Sequence, residues 1–134
     1  MEPIRVLIAD DHLVVRQGLR SLLSLYEDMV VVGEGCHTPV IMQSVESLNP
    51  DVILLDIRLG PQNGLDLARQ LGRKHPASRI IILTSYDDEA FLLQAAQAGV
   101  HGYLLKSASA EVLVEAIRAV HSGQHRLSAS LADK

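Results

Sequence analysis

Short aliphatic runs alternate along this chain with longer stretches whose apolar residues recur every three or four positions. The runs are Ile4 to Ala9, Met29 to Val32, Val52 to Leu55, Ile80 to Leu83 and Tyr103 to Leu105. Continuous apolar character over a few residues predicts strands covered on both faces, as in parallel sheets. Between them, Val15, Leu19, Leu22 and Tyr26 fall at helical spacing. Thr38 is placed to cap a second helix, with Pro39 at its first position and Ile41, Val45 and Leu48 on one face. Asn49-Pro50 ends that helix, Leu65 to Leu71 reads as a third, and His75-Pro76 closes the connection after it. Asp87 or Asp88 can cap a fourth helix ending near Gly99, and Ser109 a fifth carrying Leu113, Ile117 and Val120. Five strands alternating with five helices predict βαβ units: an α/β fold, doubly wound, with a five-stranded parallel sheet. The run from Met29 meets Gly33 and Gly35 and carries no reactive residue at its end, which suits an edge strand.

Composition narrows this further. The 134 residues fit one domain with a real core, and with no Trp and one Phe that core is aliphatic. A net charge of -4 argues against this segment itself gripping a nucleic-acid backbone. The single Cys36 excludes an internal disulfide. With no apolar run long enough for a membrane helix and no secretory signal at Met1, the expected location is the cytoplasm. Periodicity fades after Ser122-Gly123, so residues 1–122 are expected to form the domain. Residues 123–134 read as a tail, or as the start of a linker to a further domain.

Four of the five runs stop on polar or charged residues: Asp10-Asp11, Asp56, Thr84 and Lys106. In a parallel sheet these ends converge on the crevice where such folds bind ligands. Taken singly, Asp10 and Asp11 suit a solvated turn whose second Asp caps a helix, Thr84 a strand, and Lys106 a surface. Together they make a site. Three convergent carboxylates repel one another unless a cation neutralises them, and oxygen ligands without a Cys or His cluster fit Mg²⁺. Asp56 can then act as a nucleophile toward phosphorus, with Lys106 and the metal sharing the phosphoryl charge and Thr84 donating a hydrogen bond. His12 lies beside the acids and reads first as a residue of the first helical turn. His37, His75, His121 and His125 read as surface or loop residues. The absence of GxGxxG and GxxxxGK[ST] disfavours nucleotide binding.

The segments IADDH at positions 8–12, LLDIRLGPQNGLDL at 54–67, ILTSYDDE at 82–89 and AGVHGYLLKS at 98–107 resemble the receiver domains of two-component response regulators. With RAVHSG at 118–123, the last two are most similar to the NarL/FixJ branch, whose members usually carry a LuxR-type DNA-binding domain after the receiver. The resemblance implies a flavodoxin-like sheet of order 2-1-3-4-5. It makes Asp56 the phosphoacceptor, and Asp10, Asp11, Asp56 and the Arg58 backbone carbonyl the Mg²⁺ ligands. Thr84 and Lys106 become the phosphoryl-sensing pair, Tyr103 the aromatic switch, and Arg58 and Tyr86 the rim of the pocket. The implied partners are a sensor histidine kinase, a second copy on phosphorylation, and DNA only through an output domain. The implied activity is that of a signalling switch, not a conventional enzyme. The chain departs from the family in Gly60-Pro61, where the order is commonly reversed, in Asn63, where Asp is frequent, and in Ser107, where many members have Pro. A Mg²⁺-dependent phosphohydrolase with an Asp nucleophile is the rival reading, but it needs an acid two residues further on, where Arg58 stands, and an insertion to form a cap.

Overall fold

The computed structural model describes residues 2–59, 62–85 and 89–127. Its main sheet has strands β1 (Ile4–Ala9), β2 (Met29–Gly35), β3 (Val52–Asp56), β4 (Arg79–Thr84) and β5 (Gly102–Leu105). All neighbours are parallel, in the order 2-1-3-4-5. The helices are α1 (Leu13–Leu23), α2 (Thr38–Leu48), α3 (Gly64–Lys74), α4 (Glu89–Gln97) and α5 (Ala110–His121). Each apolar run therefore became a strand, and each periodic stretch a helix.

Side chains alternate across the sheet and form two cores. Leu7, Ile53, Leu55, Ile80, Ile82 and Tyr103 face α2, α3 and α4. Val6, Ile8, Val52, Leu54, Ile81, Leu83 and Leu104 face α1 and α5. Two covered faces explain why β1, β3 and β4 had to be apolar at consecutive positions. The edge strand β2 is only half covered: Val30 is exposed, while Met29 and Gly35 are buried.

Several local expectations are corrected. β2 continues through Gly33 to Gly35, because a register shift opposite Val6/Leu7 skips Val32 and keeps the strand paired. Thr38 is the first helical residue of α2, not its cap; His37 takes the extended cap conformation, and Pro39 follows second. Residue 12, not Asp11, caps α1. α3 runs three residues beyond Leu71, to Lys74. Ser109 does cap α5, accepting from the Val112 N–H at 3.2 Å. The proposed caps Asp87 and Asp88 of α4 lie outside the described residues. No cis peptide bond occurs among the described residues. No helix among them is long and apolar enough to cross a membrane.

Residues beyond α5 also join the sheet. Arg126 forms a parallel bridge to Gly102, and Leu127 packs against the core that contains Tyr103. The fading of periodicity after Gly123 hid this, because a single strand-like pairing through backbone atoms leaves no mark in side-chain pattern.

Candidate functional site at the carboxyl edge of the sheet

β1, β3 and β4 lie side by side, so their carboxyl ends bring Asp10, Asp56 and Thr84 to one edge. Asp10 is 2% exposed, Asp56 5% and Thr84 0%. Lys106, one residue past β5, reaches back across the edge. Its Nζ is 3.0 Å from Asp10 Oδ2 and 3.1 Å from Asp56 Oδ2. The Lys106 N–H donates to the Thr84 carbonyl at 2.7 Å, which fixes the backbone at the base of that reach.

Backbone groups shape the acids. Asp56 Oδ1 accepts the Arg58 N–H at 3.2 Å, and Asp10 Oδ1 accepts the His12 N–H at 2.8 Å. Arg16, on the first turn of α1, donates to the Asp10 carbonyl at 2.7 Å and to Glu34 of β2 at 3.1 Å. The His12 ring stands over the pair of acids, its Nδ1 2.9 Å from Asp11 Oδ1 and 3.2 Å from Asp10 Oδ1. The loop after Asp56 is held by a two-residue antiparallel ladder, Arg58–Leu59 with Gln62–Asn63. Asn63 caps α3 by accepting the Leu65 N–H at 2.8 Å, which is why Asn serves there as well as Asp. The adjoining Gly64 has no room for a side chain: a Cβ would run into the Asp56 carbonyl and sit 2.9 Å from Ile57 Cα.

The electrostatics follow from this packing. Burial, the largest influence, raises the Asp56 pKa above its usual value, and Asp10 adds to the rise. The Arg58 N–H and the Lys106 ammonium pull it down without cancelling the rise. For Lys106, burial acts to lower the pKa, but the hydrogen bonds to Asp10 and Asp56 outweigh it and the net shift is upward. The ammonium is thus held charged between two buried carboxylates, and the Asp56 carboxylate is more basic than an exposed one.

Carboxylate oxygens of Asp10, Asp11 and Asp56, with a ring nitrogen of His12, all lie within 4.8 Å of one another. Three carboxylates face one ammonium, so the cluster has room in its charge balance for a further cation. Its donor set is mostly hard oxygen, and it can hold a metal ion of that class.

Of the residues expected at the site, the structure brings Asp10, Asp11, Asp56 and Lys106 together, with Thr84 at the same edge. Arg58 lies two residues beyond Asp56 and is exposed. Tyr103 is buried in the core on the side of α2, α3 and α4. Tyr86 and Gly60-Pro61 lie outside the described residues. Arg16 went unrecognised as a shaper of the site; it had no sequence signal, because its bond to Asp10 depends on how α1 leaves β1.

Comparison with known proteins agrees with this fold. The family model of the response regulator receiver domain matches residues 6–118. The transcriptional regulatory protein LnrK of Bacillus subtilis (strain 168) is 36% identical over 120 residues, covering 90% of this chain and 54% of that protein. A two-component response regulator of the LuxR family from Aurantimonas sp. SI85-9A1 superposes with a TM-score of 0.92 at 31% identity, over 98% of this chain and 94% of that one. The isolated REC domain of RcsB from Salmonella enterica serovar Typhimurium, solved in the presence of the phosphomimetic BeF3-, gives a TM-score of 0.88 at 27% identity, over 98% of each chain. The chain spans about half the length of the curated relatives it matches.

Proposed function

The chain belongs to the response regulator receiver domain family, and on that premise we propose that it is a phosphorylation-controlled switch with Asp56 as phosphoacceptor. The observation that carries the reading is the Lys106 ammonium, 3.0 and 3.1 Å from two buried carboxylates at the carboxyl edge of the sheet. A solvated surface lysine would not be drawn inward in this way.

The Asp56 carboxylate, made more basic by burial, attacks the phosphorus of a donor on a sensor histidine kinase. A bond forms between a carboxylate oxygen and phosphorus as the bond from phosphorus to the donor nitrogen breaks. The electron pair of the broken bond stays with the imidazole, which leaves. Lys106 meets the negative charge on the phosphoryl oxygens, and the Arg58 N–H fixes the attacking carboxylate's orientation. The Thr84 hydroxyl then turns to a phosphoryl oxygen, and Tyr103 follows it, so that the added charge biases a two-state equilibrium at α4, β5 and α5. Arg58, two residues beyond Asp56, flanks the phosphoryl and slows the approach of hydrolytic water.

Asp10, Asp11, Asp56 and the Arg58 carbonyl would hold Mg²⁺. That ion supplies positive charge to offset the phosphoryl oxygens. The fit rests on the oxygen donors gathered within 4.8 Å. The relatives LnrK and DegU are named transcriptional regulatory proteins, and the chain spans about half their length. The switch therefore controls self-association or an attached DNA-binding domain, and through it transcription. Receivers are signalling modules, not conventional enzymes.

The test is intact mass after incubation with acetyl phosphate. Wild type should gain one phosphoryl with Mg²⁺ and none with the metal chelated, and Asp56→Asn should gain none. Equal labelling of Asp56→Asn would remove the acceptor from this role.

A further inference from the structure

The outer edge of β5 is covered by the chain's own residues 124–127. After a turn at Gly123, whose φ is +98°, the backbone runs beside Gly102. The Arg126 N–H donates to the His101 carbonyl at 2.8 Å, and the Arg126 carbonyl accepts the Tyr103 N–H at 2.8 Å. The Arg126 guanidinium grips Glu115 of α5 at 2.8 and 3.0 Å. The His125 ring stacks on His101, with centroids 5.5 Å apart. Gly102 makes the approach possible, since a Cβ there would lie 3.3 Å from the Arg126 carbonyl and 2.9 Å from Ile81 Cγ1. A bare strand edge is a template for another strand. Here the occupant is this segment.

Lys106 follows directly on the far end of this strand. Tyr103 and Lys106 are three residues apart, about 10 Å at the rise of an extended chain. Lys106 Nζ sits 3.1 Å from Asp56 Oδ2, so a phosphoryl group added there competes for the space the ammonium holds. The side chain that would shift leaves the backbone one residue past β5.

We propose that residues 124–127 form an edge strap on β5, and that phosphorylation of Asp56 loosens it. The segment between the receiver and whatever follows is then held or released by the state of the acid pocket. This rests on Asp56 being the phosphoacceptor, and it adds the element that reads the switch out. Because coupling free energies are reciprocal, a chain whose strap is weakened favours the phosphorylated state more at equilibrium.

The test is residue-resolved amide hydrogen exchange on the whole chain, with and without acetyl phosphate and Mg²⁺, alongside intact mass. Once the mass shows one phosphoryl, the Tyr103 and Arg126 amides should exchange about fivefold faster or more, the lower end of ordinary allosteric coupling. The Leu54 amide in the central strand should not change. Arg126→Pro removes the donor to His101 and should reproduce faster Tyr103 exchange without phosphoryl, and raise the fraction phosphorylated at a fixed acetyl phosphate concentration. Arg126→Ala keeps that backbone bond and should do so to a smaller degree. A chain that gains the phosphoryl with unchanged Tyr103 and Arg126 exchange overturns the strap and leaves the acceptor role standing. A chain that gains no phosphoryl overturns both.

Discussion

Asp10 and Asp11 are neighbours in sequence but not in environment. Asp10 is buried and spends its oxygens on the His12 N–H and on Lys106. The Asp11 side chain is 30% exposed and faces His12. A metal ion arriving from solvent meets Asp11 first, and its carboxylate can turn without breaking a buried ion pair. Asp11→Ala should therefore weaken Mg²⁺ binding more than Asp10→Ala, measured by calorimetric titration of each variant. Equal Mg²⁺ affinity in Asp11→Ala and wild type would contradict this. At this scale the acids and Lys106 were legible because each terminates a hydrophobic run, where a charge has no reason to be unless it faces a crevice. That His12 could touch the site was legible from its place beside the acids; its contact with both carboxylates was not, since that depends on the cap geometry of α1.

The strand-to-helix connection after Asp56 is the element on which the site's shape depends. Its two-residue ladder, the Asn63 cap and the Gly64 N–H donating to the Ile57 carbonyl at 2.7 Å fold the loop against the end of β3. Gly64→Ala forces a Cβ against the Asp56 carbonyl, a rigid backbone group that cannot swing aside. Overpacking of this kind costs about 1–3 kcal/mol. Denaturant unfolding of Gly64→Ala should show a loss in that range together with slower phosphorylation; wild-type values of both would show that the loop relaxes freely. The helix that begins here was legible from Leu65 onward. Its cap was not, because Asn63 and Gly64 read equally well as ordinary turn residues until the approach of Asp56 and Ile57 is known. The strand β2 misled in the opposite sense: Gly33 and Gly35 resemble a stop, yet a register shift lets the edge strand absorb them.

Across the whole molecule, the parallel sheet gathers its acids and Lys106 at the carboxyl edge and other polar contacts at the opposite one. His101, just before β5, accepts the Ile80 N–H on Nδ1 at 3.1 Å, a bond that a protonated ring cannot make. Burial, the largest cause, with the charges of Arg79 and His125, lowers its pKa below the ordinary 6.5. A depressed histidine pKa means the unfolded chain binds the proton more readily. Its contribution is complete above pH 6.5 and is lost as pH falls from there through the lower folded value. The stability of His101→Gln should accordingly vary less with pH in that window than wild type, by denaturant midpoints across the range; parallel curves would contradict the assignment. The sheet order was implied by family resemblance, while the alternation that builds two cores was plain in the apolar runs themselves. The bridge from Arg126 escaped both, since backbone pairing at an edge needs no particular side chain.

On the proposed reading the three carboxylates of the acid pocket have different tasks, and only one takes a covalent bond. Fragmentation mass spectrometry of the acetyl-phosphate-treated chain locates that bond directly. The phosphoryl should be found on Asp56, with Asp10 and Asp11 unmodified. A phosphoryl on Asp10 or Asp11, or none on any of the three, would contradict the acceptor role of the carboxylate that ends β3.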